Sequence, residues 1–188
     1  VLMSVVQQMS LSPIKREILE TMLLHDKPAR AVQIAKESEK KFPSVMMHLV
    51  GLTRMGYANS PEKGQYAITE KGKQALGIPE INKESAKALL AHTTRDEAFH
   101  FYAGIGNPLS LYAHGLKDFC DKIPKVNTDS IEFHVNRGDF EAWFAGLGDV
   151  ELARKTALLK EKKMVGEELR RKLHEIVKNR CIVLAELV

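Results

Sequence analysis

The sequence predicts a mainly α-helical chain with one small β-hairpin, arranged as two domains, residues 1–80 and 81–188. Three observations predict it. Apolar residues recur at helical spacing along most of the chain; a helix that closes at Gly56 is followed by two short extended runs about a turn; and glycine and proline interrupt the pattern at Gly77-Ile78-Pro79-Glu80-Ile81-Asn82.

The elements follow in order. Ser12-Pro13 reads as an N-cap and a first-turn proline, and Ile14, Ile18, Leu19 and Met22 form one stripe behind it. A second, shorter helix covers Ala31 to Lys40 and packs Val32, Ile34 and Ala35. In the third, residues 44–55, Val45, Leu49 and Leu52 point inward with Met46 on their flank, while Ser44, Met47, His48, Gly51 and Arg54 are placed on the opposite face. Pro43 presets its entry and Gly56 its exit. Residues 57–60 and 65–69 flank Pro61-Glu62-Lys63-Gly64 as a hairpin, and Thr69 caps a further helix. Helix, helix, helix, hairpin, helix is the order of a winged helix-turn-helix.

Residues Ser12 to Gly77 resemble the winged helix-turn-helix of the MarR and ArsR classes of prokaryotic and archaeal transcription regulators. The resemblance rests on His48-Leu49, Leu52, Met55-Gly56-Tyr57 and Tyr66-Ala67-Ile68-Thr69-Glu70-Lys71-Gly72. It implies that the third helix enters the major groove of double-stranded DNA and that the wing, residues 57–69, lies on the backbone. By position, Ser44, Met47 and His48 would face base edges, and Lys40, Lys41, Arg54 and Lys63 would neutralise phosphates. The chain departs from a strong base reader in one respect: the outward face has no Arg, Lys, Asn or Gln before Arg54. The alternative is an adaptor whose winged helix, with Met46 and Met47, meets protein.

Charge agrees with weak phosphate attraction. The 28 Lys and Arg against 24 Asp and Glu give +4, and residues 1–80 hold 11 basic and 8 acidic side chains against 17 and 16 in residues 81–188. The excess therefore sits on the first domain, at a level far from that of a chromatin-packing protein. Cys120 and Cys181 have no metal-ligand spacing, and both are expected as buried thiols in a reducing, cytoplasmic compartment. No apolar run reaches the length of a membrane span, and Val1 to Val6 lacks the basic start of a signal peptide. No cofactor is implied.

In the second domain, Asn82 caps a helix over 84–92, Phe99 and Phe101 alternate in a short strand, and Gly104-Ile105-Gly106-Asn107-Pro108 reads as a turn. Helices are then expected over Leu109 to Ile123, over Thr128 to Asn136, from Asp139 as a cap through Phe140, Trp143, Phe144 and Leu147, and from the cap Asp149 through Val150, Leu152, Ala153 and Ala157. Gly166 to Leu187 continues the amphipathic pattern through Leu169, Leu173, Ile176, Val177, Val183 and Leu184. Residues Ala98 to Ala157, by Ala98-Phe99-His100-Phe101-Tyr102, Asp118-Phe119, Phe133-His134 and Asp139-Phe140 with Trp143, resemble a mostly archaeal domain of unknown function, which implies a sensor or interaction role.

Two imidazoles and two carboxylates, His100, His134, Glu132 and Asp139, are the one set with acid–base or metal-binding chemistry. The plainer reading makes His134 a hydrogen-bonded core residue and pairs Arg137 with Asp139. With no HxxxH, CxxC or nucleophile elbow, the expectation is a non-enzymatic, homodimeric regulator with a small-molecule or protein effector at the second domain. The dimer would use the C-terminal stripe or residues Val1 to Met9.

Overall fold

The computed structural model describes residues 11–188, and the chain divides into two compact units that meet at Glu80 and Ile81. Both are mainly helical, with small antiparallel sheets. The expected role of Val1 to Met9 lies outside the described residues.

The first unit runs α1 (Pro13–Leu23), β1 (Ala29–Arg30), α2 (Ala31–Glu37), α3 (Phe42–Arg54), β2 (Ala58–Asn59), β3 (Gln65–Ile68) and α4 (Glu70–Ala75). The Ser12 side chain accepts from the Lys15 amide and Thr69 accepts from the Gly72 amide, satisfying free donors at the starts of α1 and α4. Ile18, Leu19, Met22, Ile34, Val45, Leu49 and Leu52 form the core, with Tyr57 and Ala75 closing it. Two residues expected in that core are outside it. Ile14 is exposed because it lies in the first turn of α1, and Val32 is exposed because the inward direction of α2 is set by Ala31, Ile34 and Ala35, at i, i+3 and i+4, which leaves Val32 beside it.

The hairpin is β2 and β3, with Ala58 opposite Ile68 and Asn59 opposite Ala67. β3 also pairs with β1, Ala29 opposite Tyr66, so the hairpin belongs to a three-stranded sheet of order β1-β3-β2. α3 ends where Gly56 takes φ +77°, a left-handed conformation that glycine adopts without strain.

The second unit runs α5 (Lys83–Leu90), β4 (Phe99–Gly104), β5 (Asn107–Ala113), α6 (Leu116–Lys122), a 3-10 turn (Ile123–Lys125), α7 (Thr128–Arg137), α8 (Asp139–Leu147), α9 (Val150–Glu161) and α10 (Gly166–Glu186). It is thus not wholly helical. Residues 107–113, expected as the end of a turn and, from Leu109, the start of a helix, form a strand antiparallel to β4, and α6 starts only after Gly115, whose φ of +118° interrupts the chain. Gly115 is also needed for space, since a Cβ there would stand 2.8 Å from the Ala91 carbonyl oxygen.

Phe99, Phe101, Phe119, Phe140 and Phe144 make the aromatic centre of this unit, all buried and with ring centroids 4.8–6.2 Å apart in their contacting pairs. Such offset and edge-on contacts add specificity to the burial. Trp143 lies at its edge and donates its indole N–H to the Glu97 carbonyl at 2.8 Å. Leu169, Leu173, Ile176, Val177 and Leu184 bury one stripe of α10, whereas Val183 is exposed. No helix among the described residues is long and apolar enough to cross a membrane.

Candidate functional site

Among the described residues, side chains that could meet a ligand gather on the outward face of α3 and around a pocket in the second unit. On α3, Val45, Leu49 and Leu52 are fully buried. At 100° per residue the direction opposite to them is taken by Pro43, Met47, Val50, Gly51 and Arg54. Met47 and Arg54 are exposed as expected, but Ser44 and His48 are half-buried on the flank of this face. Val50, 40% exposed, was absent from the sequence candidates because its apolar side chain reads as core.

The cations around α3 divide into free and engaged. Lys41, directly before α3, Arg54 at its end and Lys63 in the turn between β2 and β3 are exposed. Lys40, expected to meet phosphate, is paired with the Glu17 carboxylate of α1, so its ammonium is engaged within the unit. Lys71 donates to the Met55 carbonyl at 2.9 Å and lies over the Tyr57 ring, closing the end of α3.

Lys15 is a second residue that the sequence does not single out. It lies in the polar part of the α1 pattern, yet tertiary packing brings it to α3: a Cβ on Gly51 would touch Lys15 Cε at 3.5 Å. The imidazole of His48 has its pKa lowered by burial and then by the ammonium groups of Lys15 and Lys40, which places positive potential on this flank of α3. No spacing rule along the chain could have signalled a contact made between two helices.

The pocket, about 350 Å³, is lined by β4 and its turn, Phe99, His100, Tyr102, Gly104, Ile105 and Gly106, and by Phe133, His134, Arg137 and Asp139. The structure therefore does bring His100, His134 and Asp139 together. Glu132 is elsewhere engaged, accepting the Gly166 amide at 2.6 Å at the start of α10.

His134 is buried and both its nitrogens are committed. The Tyr102 amide donates to Nε2 at 2.8 Å, so the proton resides on Nδ1, which donates to Asp139 Oδ2 at 2.8 Å. Burial holds its pKa down despite the Asp139 carboxylate. Ser130 Oγ meanwhile donates to the Tyr102 carbonyl at 2.7 Å. Both backbone groups of Tyr102 thus turn to α7, and Pro108, its register partner on β5, is not asked for the N–H it lacks.

Asp139 does not cap α8. Gly138, left-handed at φ +75°, occupies that position, and the carboxylate reaches His134 and the Arg137 Nε, 3.4 Å away. Arg137 also lies over the Phe133 ring at 5.0 Å. His134 is a structural clasp between α7 and β4, with no nitrogen to offer a metal or a substrate proton. Among the described residues no group of three or more His, Cys, Asp or Glu is placed to hold a metal ion.

A family model described as a family of unknown function, DUF5752, matches residues 77–178, more than half of the chain. The chain belongs to DUF5752. The DUF5752 span contains the pocket, the aromatic centre and the Tyr102 clasp, and leaves α1 to α4 outside it. No curated protein and no solved structure matches the chain. The two cysteines of the chain are half-buried free thiols on either side of the end of that span, not fully buried as expected. Burial raises both pKa values, that of Cys181 to about 11, so neither is a ready thiolate near neutral pH.

Proposed function

We propose that the chain is a homodimeric, double-stranded-DNA-binding transcription regulator of the winged-helix type, with α3 in the major groove and the β2–β3 hairpin on the backbone. The observation that carries the reading is the arrangement of the first unit. A helix bounded by Pro43 and Gly56 buries one face and leaves the other to solvent, next to exposed Lys41, Arg54 and Lys63, in the element order helix, strand, helix, helix, hairpin, helix. The second unit, with its pocket at Arg137 and Tyr102, is the effector-binding part, and regulation acts through the spacing of two recognition helices.

The test is fluorescence anisotropy of the full chain with fragmented genomic duplex DNA across a salt series, beside a Lys41→Glu, Lys63→Glu variant. Binding that weakens steeply with salt and is lost in the variant supports the reading. Absence of binding at low salt would sink it. An adaptor role is the second reading, favoured by the exposed apolar side chains Phe42, Met47 and Val50 on the same helix. Met47→Asp would then abolish capture of a protein partner while a neutral substitution of Lys63 would not.

A further inference from the structure

We propose that α3 reads the C5-methyl groups of thymine, and that the chain's target is therefore duplex DNA rich in A·T pairs. This rests on the DNA-binding reading of the first unit. Guanine and adenine edges in the major groove are read by side chains that bond them twice, Arg, Lys, Asn or Gln. From Phe42 to Thr53, α3 has none of these. Its outward direction carries Met47, 64% exposed, Val50, 40% exposed, and Gly51, which has no side chain; Phe42, 47% exposed, stands at its first residue. Arg54 comes only in the last turn, beyond these residues.

Charge complementarity identifies what covers such a face. Around the apolar centre stand Lys41 at one end, Arg54 at the other and Lys15 on the Gly51 flank. The partner is anionic at its edges and presents small apolar groups between them. A major groove walled by phosphates and dotted with thymine methyls has that pattern, whereas a groove of G·C pairs presents only donors and acceptors. Met47 is unbranched and adapts to the step between neighbouring methyls, and Val50, one turn further on, is fixed in shape.

The experiment measures anisotropy of the full chain at low salt with three labelled duplexes of about 30 base pairs: alternating A·T, the same sequence with deoxyuridine for every thymidine, and alternating G·C. Deoxyuridine keeps the pairing and the minor groove and removes only the methyl. The A·T duplex is expected to bind about fourfold tighter than the A·U duplex for each methyl covered, the factor that corresponds to burying one methyl group. A Met47→Ser, Val50→Ser variant, whose changes leave the buried face intact, should bind A·T and A·U equally while keeping its salt dependence. Equal binding of A·T and A·U by the unaltered chain, or a preference for G·C, overturns the methyl reading and leaves DNA binding standing. Binding of none of the three overturns the DNA-binding reading itself.

Discussion

Arg180 Nε donates to Asp149 Oδ2 at 2.8 Å, and both side chains are buried. The same carboxylate caps α9 by accepting the Leu152 amide at 2.9 Å, so one aspartate fixes both the start of α9 and its registration against α10. Arg180 Nη1 also donates to Glu151 at 2.9 Å, and Lys155 balances that glutamate at 3.2 Å. Two buried anions face two buried cations, which makes the set costly to break from one side. Arg180→Ala should destabilise the second unit by about 3–5 kcal/mol, with Arg180→Lys, which keeps the charge and loses the fork, losing less. Urea unfolding followed by Trp143 fluorescence reads this directly, and an unchanged midpoint for Arg180→Ala would contradict the network's role.

Gly72 is required by close approach and not by its backbone angle. A Cβ there would overlap the Tyr57 carbonyl oxygen and come within 2.8 Å of Ile68 Cγ1. That oxygen already accepts the Thr69 amide, at 3.1 Å, so neither backbone can move without losing the junction of hairpin and α4. Gly72→Ala, helix-favouring on an exposed surface, should here destabilise by about 1–3 kcal/mol through overpacking. Hydrogen exchange at the amides of residues 65–76 should quicken in the variant.

How much of this was legible in the sequence depends on whether the signal was local. Pro43 and Gly56 delimit α3, and Asn82 and Asp149 cap helices, because each acts on backbone groups within three residues. β1 has only Ala29 and Arg30, too few for alternation to register, and exists because β3 pairs with it. From Leu109 the sequence of β5 reads as helix because it runs into the apolar stripe of α6 just beyond, whereas its strand form rests on pairing with β4. The candidate cations on and beside α3 were visible as charges. That Glu17 would engage Lys40, that Lys15 would approach Gly51, and that His134 would clasp Tyr102 were not, because each joins residues brought together only by the fold.

Acid should weaken the second unit through His134. An unfolded histidine takes its proton near pH 6.5, whereas burial lowers the folded value, the Asp139 carboxylate only partly opposing it. Between the two values the unfolded chain binds the extra proton, so stability is full above about pH 6.5 and falls as pH drops below it. Protonation at Nε2 would also remove the acceptor of the Tyr102 amide. The melting temperature read at Trp143 should fall between pH 7.5 and 5.5, and fall less in His134→Gln, which does not titrate. A variant that loses as much as the unaltered chain would assign the acid sensitivity to another group.

Lys15 and Lys40 look alike in sequence and should differ in function. Lys40 is paired with Glu17, so replacing it by Gln removes an ammonium already engaged within the unit and leaves an exposed carboxylate without its partner. Lys15 stands beside α3, where it shares the flank with His48. If α3 enters the major groove, this ammonium meets a phosphate, and Lys15→Gln should lower the slope of log affinity against log salt by about one. Lys40→Gln should leave that slope close to unaltered while lowering the melting temperature of the first unit slightly, as a partly exposed pair contributes about 1 kcal/mol or less. Equal slopes for Lys15→Gln and the unaltered chain, with Lys40→Gln reduced, would reverse the assignment and return Lys40 to the phosphate-binding surface.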